Sequence, residues 1–371
     1  MKSPSAAAAL NQVDDASGVI GVVDRHRRLL SILVGVVLVV FAGVLLGSGG
    51  FYTSLVEDIL IYAIAAMGLD FLGGYGGLVS LGQAGFIGLG AYGIAVPEAH
   101  GFGPWTSIGI ALVVVAATAA VTGIVAIRVT GISFVIITLA IGQILWGLAY
   151  RWVSLSGGDN GLVISGFPKL GPLDLTNPQV LAFVILAVFV VVALVLRTLV
   201  SSPFGLSMLG IRSNEQRLRT LGYRTGLHRY LAYIIASIVG GVAGILYAFS
   251  NNLISPTTMD FSHNGIITLM AVLGGLRSLW GPVLGALIIT LIQQELSIYV
   301  SRWQMLMGAV FVVVVVFTPD GLWGLMRQGT AALRRRRARA GPGDAARPDA
   351  AGTEAGTGQS SATESSESGV R

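Results

Sequence analysis

The chain has 371 residues, of which 54% are hydrophobic and only 11% are charged, with a formal net charge of +5. Soluble domains carry roughly 25% charged residues, so the composition excludes an ordinary soluble globular protein and predicts a membrane protein. The chain contains no cysteine, which excludes disulfides, cysteine-ligated zinc and a cysteine nucleophile.

Apolar runs long enough to cross a bilayer recur along the whole chain. A helix needs roughly 20 residues to span the hydrocarbon core, and shorter runs span it when they tilt or when the bilayer thins. We therefore predict an all-α polytopic membrane protein with about ten transmembrane helices. The predicted spans are 29–46, 55–72, 78–96, 108–127, 132–150, 180–200, 230–249, 265–279, 282–296 and 305–317.

Basic residues predict the orientation, because Lys and Arg in short loops stay in the cytoplasm. Three Arg residues precede the first span and a cluster of five follows the last, so both termini are predicted to be cytoplasmic. The longest predicted inner loop, 201–229, holds five Arg residues, whereas the loops 97–105, 151–179 and 251–264, predicted to lie outside, hold two cations together. Charge and span number agree on one topology.

This topology divides the chain into a cytoplasmic tail over 1–28, a transmembrane domain over 29–326 and a cytoplasmic tail over 327–371. The first apolar run is longer than that of a signal peptide and no small-residue cleavage site follows it, so we expect a retained anchor. The last tail is basic and then rich in Gly, Ala, Ser, Pro and Glu, a composition typical of disorder. Binding of anionic lipid by its Arg cluster and a purely topological role are both open.

The segment GGYGGLVSLGQAGFIGLGAYG, residues 73–93, is rich in glycine and has no charge. Glycine costs roughly 1 kcal/mol in a soluble helix, but in a membrane small residues let helices approach closely. We predict a tightly packed membrane helix entered through a bent or re-entrant piece. Polar groups in or beside it are candidates for a translocation path: Asp70, Tyr75, Ser80 and Gln83. Bonding to a neighbouring helix is the alternative for Ser80 and Gln83, and hydration or pairing with an Arg is the alternative for Asp70.

The basic inner loop is the predicted docking place for a cytosolic driver. A helical segment from about Phe204 to Leu221 fits the groove of a partner protein, and an ordinary positive-inside loop is the alternative. Phosphate-binding GxxxxGK[ST] patterns are missing from the chain and its four His residues are far apart in sequence. We therefore expect no enzyme, no metal site and no nucleic-acid partner, but a conduit or a transporter subunit that is driven from elsewhere.

Six ordered blocks between residues 58 and 325 resemble the LivM-type permease subunits of ABC importers for branched-chain amino acids. Asp70 departs from the family pattern, which usually has Asn there, and Arg217 and Leu218 replace the usual Ala-Ala. The blocks read GLDFLGGYGGLVSLGQAGFIGLGAYG, IRVTGISFVIITLAIGQI, SGGDNGLVISGFP, SPFGLSMLGIRSNEQRLRTLGY, GGLRSLWGPVLGA and TPDGLWGL.

The resemblance implies a permease subunit in the bacterial plasma membrane that moves branched-chain or related apolar amino acids inward. It implies three kinds of partner protein: a homologous LivH-type permease, two cytosolic ATPase subunits and an extracytoplasmic solute-binding protein. ATP would bind to the ATPase subunits and not to this chain, and the chain would also contact membrane lipid. Urea or short-chain amides are the nearest alternative solutes. A self-sufficient channel, a secondary carrier and an intramembrane enzyme are the alternatives from other classes.

The resemblance also assigns residues on both faces of the membrane. Asp159 and Asn160, in the turn GGDNG, fall in the outer loop that would contact the binding protein or form the mouth of the path, with an ordinary turn as the alternative. The residues of the ATPase-coupling loop are Ser202, Pro203, Phe204, Gly205, Glu215, Leu221 and Gly222.

Overall fold

The structure is a computed structural model, and it describes residues 51–164, 169–170 and 173–299 together with residues 305, 308, 309, 312 and 321. The predicted first span with its retained anchor, most of the tenth span and both predicted tails lie outside the described residues.

Helices dominate the described part of the chain, and eight of them coincide with the second to ninth predicted spans. Four of these are individually long and apolar enough to cross a membrane: Pro104–Ala126, Ile132–Arg151, Pro178–Ser201 and Thr225–Asn251. The protein is thus an all-α polytopic membrane protein. The helices are α1 Phe51–Asp70, α2 Gln83–Ala99, α3 Pro104–Ala126, α4 Ile132–Arg151, α5 Val153–Ser156, α6 Pro178–Ser201, α7 Pro203–Thr220, α8 Thr225–Asn251, α9 Phe261–Gly274 and α10 Gly281–Tyr299.

Two membrane helices, α6 and α9, begin with a side chain that satisfies a free backbone N–H group. Asn177 caps α6, its Oδ1 accepting a hydrogen bond from Gln179 N at 3.0 Å, and Pro178 occupies the first turn, where no N–H is needed. Asp260 caps α9 in the same way, accepting from His263 N at 2.8 Å. These caps set where the membrane helices enter from the loops.

Short strands pair the loops predicted to lie outside. Strand β1, Leu162–Val163, pairs antiparallel with β4, Leu253–Ile254, and β2, Lys169–Leu170, pairs antiparallel with β3, Leu173–Asp174. The β1–β4 pair joins a loop before α6 to a loop after α8. Both loops therefore lie on the same side of the bundle, as the topology predicts.

Glycines let α2 and α8 pack backbone against backbone. A Cβ atom added to Gly90 would collide with the Gly241 carbonyl, and one added to Gly244 would collide with the Ile87 carbonyl. Such close approach is available only to small residues and is the usual basis of helix association in membranes. The prediction of a tightly packed glycine-rich helix is confirmed.

The predicted re-entrant entry to α2 is also present. After α1 the chain forms a π-helix, Phe71–Tyr75, and an irregular stretch up to Gly82. Leu81 N donates to Thr138 Oγ1 at 3.1 Å, and Thr138 lies inside α4 rather than at its end. The irregular stretch therefore runs beside the interior of a membrane helix, which is tolerated only where protein covers it.

A second short helix meets α2 from the opposite side. A 3-10 helix, Pro256–Met259, leads into α9, which has 14 residues against 17 in α2. Asn264 Oδ1, in the first turn of α9, accepts from Ala84 N at 2.8 Å in the first turn of α2. The two helices thus begin close together inside the bundle, an arrangement known from transporters with discontinuous helices.

Candidate functional site at the inner face

The predicted cytoplasmic helix is α7, which begins at Pro203 as its sequence predicts. Asn214 interrupts it with extended backbone angles, φ −162° and ψ 98°. The Asn214 side chain accepts from Arg217 N at 3.0 Å, so it caps a second helical segment. The helix predicted as one piece is therefore two segments joined at Asn214, because a side chain that can cap competes with the continuing helix.

One face of the first α7 segment is fixed to the membrane helices. Phe204 stacks between Phe71 and His228, with ring centroids 6.4 Å and 5.6 Å apart. Gly205 has no room for a Cβ atom against the carbonyl of Val200 at the end of α6. Ser202, at the N-cap, donates its hydroxyl to Leu199 O at 2.6 Å instead of capping α7. This segment cannot move without moving its supports.

Glu215 begins the second segment and finds its partners within its own chain. Its Oε1 accepts from Arg219 Nη2 at 2.7 Å and from Thr225 Oγ1 at 3.1 Å, and it lies 3.4 Å from Arg229 Nη1. Partial burial raises the pKa of Glu215, but the hydrogen bond from Arg219 and the charge of Arg229 outweigh burial and hold the pKa below its usual value. The carboxylate stays charged and ties the end of α7 to the start of α8.

Arg229 extends this connection to a second inner loop. Its side chain is only 4% exposed, and its Nη2 donates to Val129 O at 2.6 Å in the loop between α3 and α4. A polar cavity of about 130 Å³ lies beside it, lined among others by Thr130, Arg212 and Glu215. Because α8 begins at Thr225, the inner loop is shorter than the predicted range 201–229.

Apolar side chains in this cytoplasmic region are exposed. Leu206 is 64% exposed, Leu221 69% and Tyr223 50%. Gly222, between Leu221 and Tyr223, has φ +87°, a turn that glycine adopts without strain. We call Leu206, Leu221 and Tyr223 the inner contact surface. Contiguous exposed apolar area marks a protein contact, whereas single apolar side chains are normal on a surface, so these three residues are candidates for contact with a partner. Leu206 and Tyr223 were missing from the predicted site, although apolar residues in a basic loop were a usable signal.

Two residues of the predicted path, Asp70 and Tyr75, lie together at the inner end of α1. Asp70 Oδ1 accepts from Arg277 N at 2.6 Å, and the Tyr75 hydroxyl donates to Arg277 O at 3.3 Å. Arg277 belongs to the turn between α9 and α10. The sequence offers no signal for this meeting, because its members are 207 residues apart.

The other two, Ser80 and Gln83, lie in the re-entrant stretch and at the start of α2. Ser80 Oγ accepts from Gly82 N at 3.2 Å. Gln83 Nε2 donates to Ala236 O of α8 at 3.0 Å. Both side chains are buried. Asp70 and Tyr75 thus share Arg277 as a partner, whereas Ser80 and Gln83 each bond to a different backbone group.

On the outer face, Asp159 and Asn160 lie in a 3-10 helix, Gly158–Asn160, directly before β1. Both residues are exposed. They are therefore accessible to an extracytoplasmic protein and lie apart from the inner contact surface.

The family described as "Branched-chain amino acid transport system / permease component" matches residues 51–315. This match covers the whole helical bundle from α1 onwards. The chain belongs to this family. The permease is therefore a subunit of an ABC importer and a multi-pass protein of the plasma membrane, and its family works with ATPase and binding-protein partners.

Named relatives agree with this membership. The permease is 27% identical to "High-affinity branched-chain amino acid transport system permease protein LivM" of Escherichia coli (strain K12), over 72% of this chain and 69% of that protein. It is 25% identical to "Nucleoside ABC transporter permease protein NupC" of Lactococcus lactis, over 64% and 79%. It is 27% identical to a probable LivM of Methanocaldococcus jannaschii over 38% of this chain and 46% of that protein. No solved structure matches the chain.

Proposed function

We propose that this permease moves branched-chain amino acids inward, paired with a LivH-type permease and driven by two cytosolic ATPase subunits. ATP is bound by those subunits, and the permease itself has no ATPase site and no cofactor. The observation that carries the proposal is α7: a helix tied on one face to the membrane bundle and open on the other at Leu206. A helix of this kind passes the closing of a partner into the membrane domain.

The coupling residues of the proposal divide into two roles. Leu221, together with Leu206 and Tyr223, offers exposed apolar area to the ATPase subunits. Ser202, Pro203, Phe204, Gly205, Glu215 and Gly222 shape α7 and hold it against the membrane helices. Glu215 thus acts by holding the segment in place.

The path of the solute is proposed to run past the junction of the short helices α2 and α9, beside Ser80 and Gln83, towards Asp70 and Tyr75 at the inner end. The N-terminus of a helix carries a partial positive charge, and helices that begin inside a bundle place this charge where it suits the carboxylate of an amino acid. On the outer face, Asp159 and Asn160 receive the binding protein, because both are exposed beside the paired outer loops.

Two other solute classes compete with branched-chain amino acids. A nucleoside permease is among the relatives, and the sequence resemblance leaves urea or short-chain amides open. Identity and the share of this chain that is matched are both higher for the LivM of E. coli, at 27% and 72% against 25% and 64%, which favours amino acids.

The proposal is tested by uptake into proteoliposomes. These contain the permease together with its LivH-type partner, the ATPase subunits and the binding protein. Radiolabelled leucine, uridine and urea are supplied outside, with and without ATP at the cytosolic face. Leucine accumulation that needs both ATP and the binding protein supports the proposal, and uridine or urea accumulation under the same conditions replaces the solute class. Flux through the permease alone, without ATP, contradicts the importer mechanism and favours a channel or carrier.

A further inference from the structure

The turn between α9 and α10 has an unusual backbone at Arg277. Its φ is +72°, a left-handed conformation that residues with a side chain populate sparsely. Non-glycine residues persist in such conformations when surrounding contacts hold them there. Arg277 lies in the segment GGLRSLW, where glycines are close at hand in the sequence, yet the strained position is not a glycine. The contacts that hold it are therefore worth identifying.

Two side chains from α1 and the π-helix after it hold both backbone groups of Arg277. The Asp70 carboxyl accepts the Arg277 N–H at 2.6 Å, and the Tyr75 hydroxyl donates to the Arg277 carbonyl at 3.3 Å. Asp70 is fully buried. A buried acceptor that is aimed at a single N–H constrains the peptide strongly, because losing that partner leaves an unsatisfied buried group. We call Asp70, Tyr75 and Arg277 the turn clamp.

The coupling helix reaches the same place from the other side. Arg212, in the first segment of α7, donates through Nη1 to the carbonyl of Gly74, inside the π-helix. A Cβ atom on Gly74 would lie 2.6 Å from Arg277 N and would also collide with the Asp70 carboxyl. At Gly74 the π-helix therefore contacts two other elements: the α9–α10 turn through Arg277 N, and α7 through the side chain of Arg212. π-Helical turns of this kind are frequent at functional sites.

We infer that Asp70 is a positioning residue for transport: with Tyr75 it holds the α9–α10 turn in its left-handed form, so that the turn moves together with α7. Asp70 then contributes to transport by fixing this turn, and direct contact with the solute is not required. The inference rests on the proposed function, since α7 must be the helix that the ATPase subunits move. Removal of the clamp uncouples the two events, so that ATP is hydrolysed while less solute crosses.

The test measures leucine transported per ATP hydrolysed by the complete importer in proteoliposomes. In Asp70→Ala this ratio is expected to fall by about tenfold, within the usual range of coupling free energies. Asp70→Asn keeps an acceptor oxygen for Arg277 N and is expected to stay within about threefold of the original. If Asp70 had only a structural role, Asp70→Ala would lower the amount of assembled complex. The complexes that do assemble would keep the original ratio of leucine transported to ATP hydrolysed.

A second substitution gives the sharper test. Glycine adopts φ near +72° without strain, so Asp70→Ala combined with Arg277→Gly is expected to recover most of the lost ratio. Failure of this rescue in an assembled complex overturns the inference, as does an unchanged ratio in Asp70→Ala. If Asp70→Ala does not assemble, Tyr75→Phe removes the other half of the turn clamp, and an unchanged ratio in that variant is equally decisive against it.

The original complex separates this inference from the proposed function. If it shows no ATP-dependent uptake of any of the three solutes, the proposed function fails before the variants are compared. If it transports and the variants keep its ratio, only the turn clamp fails.

Discussion

The two faces of the bundle are held together by different kinds of contact. At the inner face, charged side chains bond to backbone groups far away in sequence: Asp70 to Arg277, Arg212 to Gly74 and Arg229 to Val129. At the outer face, the loops before α6 and after α8 are joined by the short β1–β4 ladder. The inner loops and helix ends are thus joined by individual side chains, each of which bonds to the backbone of another segment.

This difference has a mechanical consequence. A two-residue ladder holds two loops beside each other and leaves exposed residues such as Asp159 accessible. The inner contacts join α7, the start of α8, the α3–α4 loop and the α9–α10 turn, so displacement of one is passed to the others. A face that receives force needs connected elements, whereas a face that receives a binding protein needs an accessible surface. Substitutions at the two faces should therefore fail in different ways.

The largest expected effect comes from breaking the inner connection at Arg229. Arg229→Ala leaves Val129 O without its donor and removes one of the two cations beside Glu215, and losing the hydrogen bonds of a buried side chain costs about 2 kcal/mol. Thermal unfolding in detergent measures the loss. Arg217→Ala, which removes an exposed Arg of the neighbouring helix α7, is the matched control and should change stability by less than about 0.5 kcal/mol. Equal effects of the two substitutions would contradict the connection.

The next effect concerns assembly at the inner contact surface. Leu206→Asp places a charge where an apolar contact with the ATPase is proposed, and we expect retention of the ATPase subunits during purification to fall by about tenfold. Leu253→Asp is the matched control, because Leu253 is a half-exposed leucine of the outer strand β4. It should retain the ATPase subunits normally. Loss of retention in both variants, or in neither, would remove the distinction between the faces.

A smaller effect is expected at the outer face. Asp159→Lys reverses an exposed charge beside the outer ladder, and the concentration of binding protein that gives half-maximal uptake should rise by about fivefold, as charge reversal at an interface slows association. Stability and ATPase retention should not change. Asp159→Asn should show an intermediate rise. An unaltered half-maximal concentration in Asp159→Lys would exclude this turn as a docking site.

Apolar run lengths and single turn residues were readable from the sequence, whereas side-chain partners were not. The spans follow from hydrophobic length, and Pro203 and Gly222 mark the ends of α7 because their backbone preferences are local. The break at Asn214 is not evident from the sequence, because the free energies of capping a new segment and of continuing the helix differ by little. The link from Asp70 to Arg277 was out of reach because no periodic pattern connects residues 207 positions apart.

The smallest expected effect is a dependence of stability on pH through Glu215. Its pKa in the folded protein lies below the ordinary value of 4.5, although partial burial acts in the opposite direction, since Arg219 and Arg229 stabilise the charged form. A carboxyl with a depressed pKa stabilises the fold above its unfolded pKa, and this stabilisation is lost as the pH falls through the folded pKa.

The substitution Glu215→Gln removes this stabilisation at every pH. The difference in unfolding free energy between the original and Glu215→Gln should therefore be at most about 1 kcal/mol at neutral pH, because the carboxylate is partly hydrated, and it should shrink towards zero once the pH is well below 4.5. Melting temperatures of both proteins across this range measure it. A difference that stays constant in acid would mean that Glu215 acts through packing, and the inner face would then depend less on charge than its contacts indicate.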